Sequence, residues 1–186
     1  MNQKISTKRI AMAGLMAALT VIGSGLRITI PVDIGGNTAF HLGNIMCALS
    51  GILLGPWLGG AAAGVGSAIY DMLNPAYIDE AWLTFLMKGA YGVVTGFMIH
   101  LGKKDWGYGK AILATAAGAV AYAILYLLKS FLKTMIVSGT TAQAAFVALA
   151  LKLPATIFNA AVAILFAPIL ATAIRKALKQ SHISLD

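Results

Sequence analysis

The sequence predicts an all-α integral membrane protein with six transmembrane helices and both termini in the cytoplasm. Three observations support this fold class: a high apolar content, six hydrophobic stretches, and basic residues gathered at three places. Of the 186 residues, 59% are hydrophobic and 11% are charged, whereas a soluble domain is about 45–50% apolar and about 25% charged. The mean hydropathy of +0.83 agrees with this interpretation. We therefore expect little of the chain outside the membrane.

Six stretches are apolar enough for membrane helices, which need about 17–25 residues to cross a bilayer. They cover residues 6–27, 41–54, 57–73, 81–101, 110–134 and 144–178. The second is short because Gly55-Pro56 follows it, and proline cannot continue a helix. The first is not interpreted as a secretory signal, since further spans follow and no cleavage site precedes a soluble region. We expect a single membrane domain over residues 1–186.

The net charge of +8 is explained by membrane topology rather than by nucleic-acid binding. Nine of the fourteen basic residues fall into three clusters. The clusters are Lys4, Lys8 and Arg9; Lys103, Lys104 and Lys110; and Arg175, Lys176 and Lys179. Basic residues near the ends of membrane helices favour the cytoplasmic side. Both termini and the loop after the fourth helix are therefore expected there, against the lipid surface, and no nucleic-acid partner is expected.

Small residues recur at four-residue spacing on two of the helices. Ala13 and Ala17 form such a pair on the first helix, and Gly60, Gly64 and Ala68 continue the pattern on the third. Small side chains four apart leave a flat strip on which another helix can lie closely. For the third helix we expect packing within the bundle. For the first, the spacing alone leaves open whether the strip packs inside the bundle or binds a partner.

Ionisable and polar residues are concentrated in the outer half of the predicted bundle. A charge inside the membrane costs a few kcal/mol, so such residues usually face a cavity or a partner. The alternative is that lysines extend their amines to the interface, and that tryptophans and tyrosines belong to the interfacial belt. The candidate substrate-binding residues are His41, Asn44, Asp71, Trp82, Lys88, Tyr91, Tyr126, Lys129 and Asn159.

The sequence offers no support for catalysis. It has no G-x-x-x-x-G-K-[ST] phosphate loop, no evident Ser/His/Asp or paired-carboxylate set, and one cysteine, Cys47. We expect no catalytic residues, no metal site and no cofactor.

Several segments together resemble a known family. These are a basic start with Ala13 and Ala17, then "ITIPVDIGGNTAFHLGN", "GILLGPWLGGAAAGVGSAIYDML" and "FLMKGAYGVVTGFMIH". The pattern is similar to the S component, the substrate-binding membrane subunit, of an energy-coupling factor (ECF) vitamin transporter. Within that family it resembles the subgroup for hydroxymethylpyrimidine and pyridoxine. The resemblance extends to about Arg175.

The resemblance implies a non-catalytic substrate-capture subunit in a prokaryotic plasma membrane, with its pocket near the outer face. It implies a lid over residues 29–40 and docking of Ala13 and Ala17 on a transmembrane T component, which two cytoplasmic ABC ATPases drive. Vitamin B6 or hydroxymethylpyrimidine is the expected cargo. Its near neutrality is at odds with Lys88, Lys129 and Lys152, which fit an anionic substrate unless they pair or reach the interface.

Other functions stay open at this point. Another vitamin such as cobalamin or pantothenate is the first alternative. A stand-alone secondary transporter would usually show two related halves with interrupted helices, and we see no such symmetry. A membrane enzyme would need a convergent acid, base or nucleophile.

Overall fold

The computed structural model describes residues 6–31, 37–101 and 106–182. Six α-helices form most of it: α1 (Thr7–Gly25), α2 (Gly43–Leu54), α3 (Pro56–Met72), α4 (Ala81–His100), α5 (Tyr108–Leu132) and α6 (Ala142–Gln180). The shorter elements are strands β1 (Arg27–Ile30) and β2 (Thr38–His41), a 3-10 turn at Ile78–Glu80 and a π-helical turn at Lys133–Val137. The predicted helical class is confirmed. Lys4, Lys103, Lys104 and residues 32–36 of the expected lid lie outside the described residues.

A short β-hairpin between α1 and α2 corrects the sequence prediction. Arg27 and His41 were expected to end the first helix and to begin the second, but they face each other as a pair in the antiparallel strands β1 and β2. Helix α1 ends earlier, at Gly25: the Leu26 N–H makes the last helical hydrogen bond, to the Ile22 carbonyl, before the chain extends. The Leu42 N–H then donates to the Gly23 carbonyl at 3.1 Å, which joins the second strand to the end of α1.

Three described segments are long and apolar enough to cross a membrane: Ile78–His100, Tyr108–Val137 and Ala142–Gln180. Helix α2 is apolar but has only 12 residues. Six spans with cytoplasmic termini therefore remain a prediction.

Glycines allow α2, α3 and α4 to approach one another at backbone distance. A Cβ on Gly59 of α3 would meet the Ser50 carbonyl of α2, and a Cβ on Gly92 of α4 would lie 2.9 Å from the Cα of Gly60. Gly55, between α2 and α3, has a φ of +81°, a conformation that side chains with a Cβ rarely adopt. The strip at Gly60 and Gly64 packs within the bundle, as the spacing predicts.

Helix α1 packs on α3 through the same kind of contact. A Cβ on Gly66 would overlap the Ala17 carbonyl, and Ala13 and Ala17 are half-buried. The exposed small residues of the strip on α1 are Gly14 and Ala18.

Basic side chains hold one end of the bundle together by capping backbone carbonyls. Arg9 donates to the Leu54 carbonyl at 2.7 Å, Lys110 to the Leu101 carbonyl at 2.5 Å, and Arg175 to the Trp106 carbonyl at 3.0 Å. A cation near the C-terminal end of a helix also favours the helix dipole. The β-hairpin and the segments 74–80 and 133–141 lie at the opposite end.

We expect Gly59→Ala to lower the free energy of unfolding by about 1–3 kcal/mol, because the added methyl group meets backbone that cannot move aside. The control is Gly14→Ala, whose Cβ would meet nothing within 4 Å. It should leave stability unchanged or raise it by up to about 1 kcal/mol, since alanine favours helices. Both are measured by reversible unfolding in mixed detergent micelles. Equal effects of the two variants would contradict the close-packing assignment.

Candidate functional site

A cavity of about 100 Å³ lies at the end of the bundle opposite the basic caps; we call it the main cavity. The hairpin, the ends of α1 and α3, the start of α4, the second half of α5 and the first half of α6 all contribute to its wall. Polar and aromatic side chains line it, including Arg27, Thr38, His41, Tyr70, Asp71, Tyr77, Glu80, Lys88, Tyr122, Tyr126, Lys129 and Asn159.

Asn159 of α6 fixes the hairpin over this cavity. Its side-chain oxygen accepts from the His41 N–H at 2.9 Å, and its side-chain nitrogen donates to the Ala39 carbonyl at 2.8 Å. The two bonds satisfy both groups of the buried amide. Through these two bonds the Asn159 side chain pairs with the backbone of β2. The hairpin wall therefore depends on α6 as well as on its own two strands.

Lys88 is a buried cation at the cavity, with 4% of its surface exposed. It donates to the Asn44 side-chain oxygen and lies 4.2 Å from the centre of the Tyr122 ring. Among the described residues it makes no ion pair. A buried charge with neutral partners is costly, so Lys88 is available to attract an anionic or electron-rich group in the cavity.

Three tyrosines form a column along α4 and α5. The Tyr91 and Tyr122 rings are 5.9 Å apart at 19°, and the Tyr122 and Tyr126 rings are 5.9 Å apart at 21°. The Tyr126 hydroxyl donates to Thr38 of the hairpin at 3.4 Å. Tyr122 and Tyr126 reach the cavity, whereas Tyr91 is buried behind them. The column offers a flat aromatic surface to a ligand ring.

Arg27 of β1 lies between two further aromatic rings. Its guanidinium carbon is 4.5 Å from the Tyr77 ring centre and 5.3 Å from that of Tyr70. Its Nε and the Nδ1 of His41 are buried without a hydrogen-bond partner among the described residues. Such atoms usually have partners, so a ligand in the cavity would supply them. Burial, Lys88 and Arg27 hold the pKa of His41 well below its usual range, so the imidazole is neutral at pH 7.

A second cavity of about 140 Å³ adjoins the first; we call it the lysine chamber. Lys129, Lys133 and Lys152 line it together with Glu80 and Ser130. Lys129 and Lys133 both form ion pairs with Glu80, and Lys152 donates to the Ser130 hydroxyl at 2.7 Å.

The structure brings together six of the nine candidate residues on the wall of the main cavity: His41, Asp71, Lys88, Tyr126, Lys129 and Asn159. Asn44 and Tyr91 lie directly behind the wall. The structure corrects the prediction for Trp82. This candidate binding residue is 62% exposed and does not line either cavity. Its position in the first turn of α4 directs it to the periphery, where tryptophan is common at membrane interfaces.

Sequence reasoning missed several lining residues, chiefly Arg27, Tyr70, Tyr77 and Glu80. Arg27 was predicted as the end of the first helix, and Glu80 falls between the predicted third and fourth helices. The hairpin and the 3-10 turn bring both to the cavity, and neither element has a strong sequence signal. No group of three or more potential metal ligands occurs in the described part of the chain.

Comparison with known sequences gives one family and several relatives. A sequence model of the family described as "ECF-type riboflavin transporter, S component" matches residues 4–176. An uncharacterised protein of Pyrococcus woesei is 36% identical over 109 residues, which are 59% of this chain and 68% of that protein. UPF0397 proteins of Streptococcus gordonii and Streptococcus pneumoniae are 31% and 32% identical over 91 and 96 residues. These alignments cover 49% and 52% of this chain and 46% and 50% of the streptococcal proteins.

We expect Asn159→Leu to lower the free energy of unfolding by about 2–4 kcal/mol, since it leaves the His41 N–H and the Ala39 carbonyl unpaired. Limited proteolysis should then cut the hairpin segment faster. The control Gln143→Ala replaces an exposed amide at the start of the same helix and should change neither measurement. A hairpin that stays protected in Asn159→Leu would show that α6 does not hold it.

Proposed function

Because the chain belongs to the family of ECF-type riboflavin transporter S components, we propose that it captures a small water-soluble vitamin for import. The main cavity is the proposed binding site. This is a role for a membrane protein of a prokaryote, and the catalytic step of transport, ATP hydrolysis, belongs to partner subunits.

The proposal rests on one observation, which is the set of side chains that lines the main cavity. It combines an aromatic surface, a buried cation and buried polar atoms without partners, and it lies at the end away from the basic caps. A ligand site typically has apolar and aromatic walls with a few polar groups that fix orientation. The basic end favours the cytoplasm, so the proposed site opens toward the outside.

We propose a compact heteroaromatic compound as the cargo, with vitamin B6 or hydroxymethylpyrimidine first. The main cavity has a volume of about 100 Å³. That size supports a single ring more than the three-ring system of riboflavin, the compound in the family's name, and more still than cobalamin. Riboflavin is the second candidate because of the family match.

For energy the proposal requires the partners typical of the family: a transmembrane T component and two cytoplasmic ABC ATPases. The exposed small residues Gly14 and Ala18 support a docking surface on α1 that neighbours the predicted Ala13 and Ala17. The half-buried positions of Ala13 and Ala17 make them less suitable for a test, because bulk there would also disturb the contact with α3.

We expect the purified chain to bind pyridoxine, hydroxymethylpyrimidine or riboflavin, and Tyr122→Leu to weaken that binding by about tenfold through loss of ring stacking. Native mass spectrometry identifies any ligand retained from the host, and titration calorimetry gives the affinity. The control Tyr108→Leu replaces an exposed tyrosine outside the cavity. Failure to bind any vitamin in a broad panel, including pantothenate and cobalamin, would contradict the proposed function.

We expect Ala18→Trp to lower ATP-dependent uptake by about tenfold or more while leaving ligand affinity unchanged, since the indole would separate α1 from a closely docked helix. Uptake is measured in cells that co-express the T component and both ATPases. The control Leu113→Trp changes another exposed position, on α5, where leucine is 67% exposed. Uptake that needs no partners and follows a proton or sodium gradient would instead identify a secondary transporter.

A further inference from the structure

Two side chains of opposite charge face the main cavity without pairing with each other. Asp71 lies in the last turn of α3 and Lys88 in the first half of α4, and both line the cavity. Asp71 is 9% exposed and Lys88 is 4% exposed. No ion pair joins these two described residues, whereas Glu80 at the same cavity does pair, with Lys129 and Lys133. A carboxylate and an ammonium group therefore meet one cavity from two helices.

The ammonium group of Lys88 has a donor to spare. An ammonium has three N–H donors, and the Asn44 side-chain oxygen accepts from it. The Lys88 nitrogen also lies 4.2 Å from the centre of the Tyr122 ring, so a second direction is taken by an aromatic face. An acceptor atom of a ligand in the cavity would give the ammonium group a third partner.

The carboxylate of Asp71 has acceptor capacity to spare. Its two oxygens can accept several hydrogen bonds, and the Thr84 hydroxyl of α4 lies beside it. The charges of Lys88 and Arg27 act on it, but neither of these described residues forms an ion pair with it. A buried carboxylate is costly unless donors satisfy its oxygens. An N–H group of a ligand directed at Asp71 would supply such a donor.

The hairpin contributes an independent sign of a ligand at the same cavity. The Nε of Arg27 and the Nδ1 of His41 are buried and have no hydrogen-bond partner among the described residues. The charges of Lys88 and Arg27 both act on His41, so these three side chains lie close together. A guanidinium nitrogen can only donate. The unpaired Arg27 donor thus also calls for an acceptor on the ligand, without reference to Lys88.

Charge complementarity distinguishes the classes of ligand that this cavity can bind. An anion would pair with Lys88 but would be repelled by Asp71, and a cation would meet the reverse arrangement. An apolar ring would leave both groups buried without new partners, which is costly. A ring with a donor on one edge and an acceptor on another satisfies both groups and brings no net charge.

The geometry points to a polar heteroaromatic ring, and we propose that Asp71 and Lys88 determine which ring is bound. Asp71 accepts from an amino or ring N–H group at one edge, and Lys88 donates to a ring nitrogen or oxygen at another edge. The ring itself lies against Tyr122 and Tyr126. This inference rests on the proposed function and specifies its substrate class.

The test uses compounds from which one polar group has been removed. For hydroxymethylpyrimidine, one analogue lacks the amino group and the other has CH in place of a ring nitrogen. For pyridoxine, one analogue has CH in place of the ring nitrogen and the other lacks the ring hydroxyl. For riboflavin, one is methylated at the imide nitrogen and the other has CH in place of the unsubstituted nitrogen of the central ring. Each set thus contains a parent, a donor-deleted analogue and an acceptor-deleted analogue.

Titration calorimetry on the unaltered chain gives the first result. In the set whose parent binds, we expect each analogue to bind about tenfold more weakly than the parent, because a hydrogen bond to a charged group is lost. This comparison needs no variant protein, so it decides the matter even if a substitution at the cavity prevents folding.

The variants Asp71→Asn and Lys88→Met then assign each group to its residue. Asp71→Asn should lower the affinity for the parent about tenfold but change that for the donor-deleted analogue by less than about twofold, since this interaction is already absent. Lys88→Met should show the same relation to the acceptor-deleted analogue. The controls are Asp79→Asn and Lys179→Met, which remove exposed charges that line neither cavity, and they should leave all three affinities unchanged.

The other outcomes contradict the inference in distinguishable ways. Analogues that bind the unaltered chain as tightly as their parents would overturn it while the proposed function stands. A variant that weakens the parent and both analogues equally would show that its residue has a structural role, and would overturn the assignment of that residue. Binding only of a vitamin without such a ring, such as pantothenate, would overturn the substrate class alone. Binding of no vitamin would count against both proposals.

Discussion

The architecture depends on the direct backbone contact of α2, α3 and α4. In a lipid environment apolar side chains gain little from leaving the surroundings, so helices associate through close packing and dispersion. Glycine at Gly59, Gly60 and Gly92 removes the side chains that would hold the helices apart. The three helices thus pack closely, and Lys88 and Tyr91 of α4 contact Tyr122 of α5.

The two ends of the bundle use charged side chains in different ways. One end of the bundle uses cations to cap carbonyl groups, and these contacts need no buried carboxylates. At the other end cations face cavities, and their partners among the described residues include an amide, a hydroxyl, aromatic rings and a shared glutamate. Burial of Lys88 and Lys152 is tolerable in a protein because each nitrogen has at least one polar partner.

Hydropathy and proline positions were sufficient to place the helices. All six apolar stretches coincide with observed helices to within two residues at each end. The hairpin could not be predicted in the same way, because each strand has four residues and pairs only with the other. Its position depends on Asn159, which is 118 residues from His41 along the chain. The candidate lysines, Asp71 and Asn159 were identifiable because polar atoms in apolar segments are rare. Arg27 and Glu80 were not, because they lie at helix boundaries, where charged residues are common.

Helix α6 connects the hairpin end of the protein to its basic end. Its 39 residues make it about 58 Å long at a rise of about 1.5 Å per residue, almost twice the hydrocarbon thickness of about 30 Å. Lys152 and Asn159 lie in its first half, and Arg175, Lys176 and Lys179 lie in its last turns. Its middle is held in the bundle by the buried residues Ala163 and Ala167. Because these buried residues lie between its two ends, a tilt of the whole helix that shifts the hairpin end would move the basic end in the opposite direction.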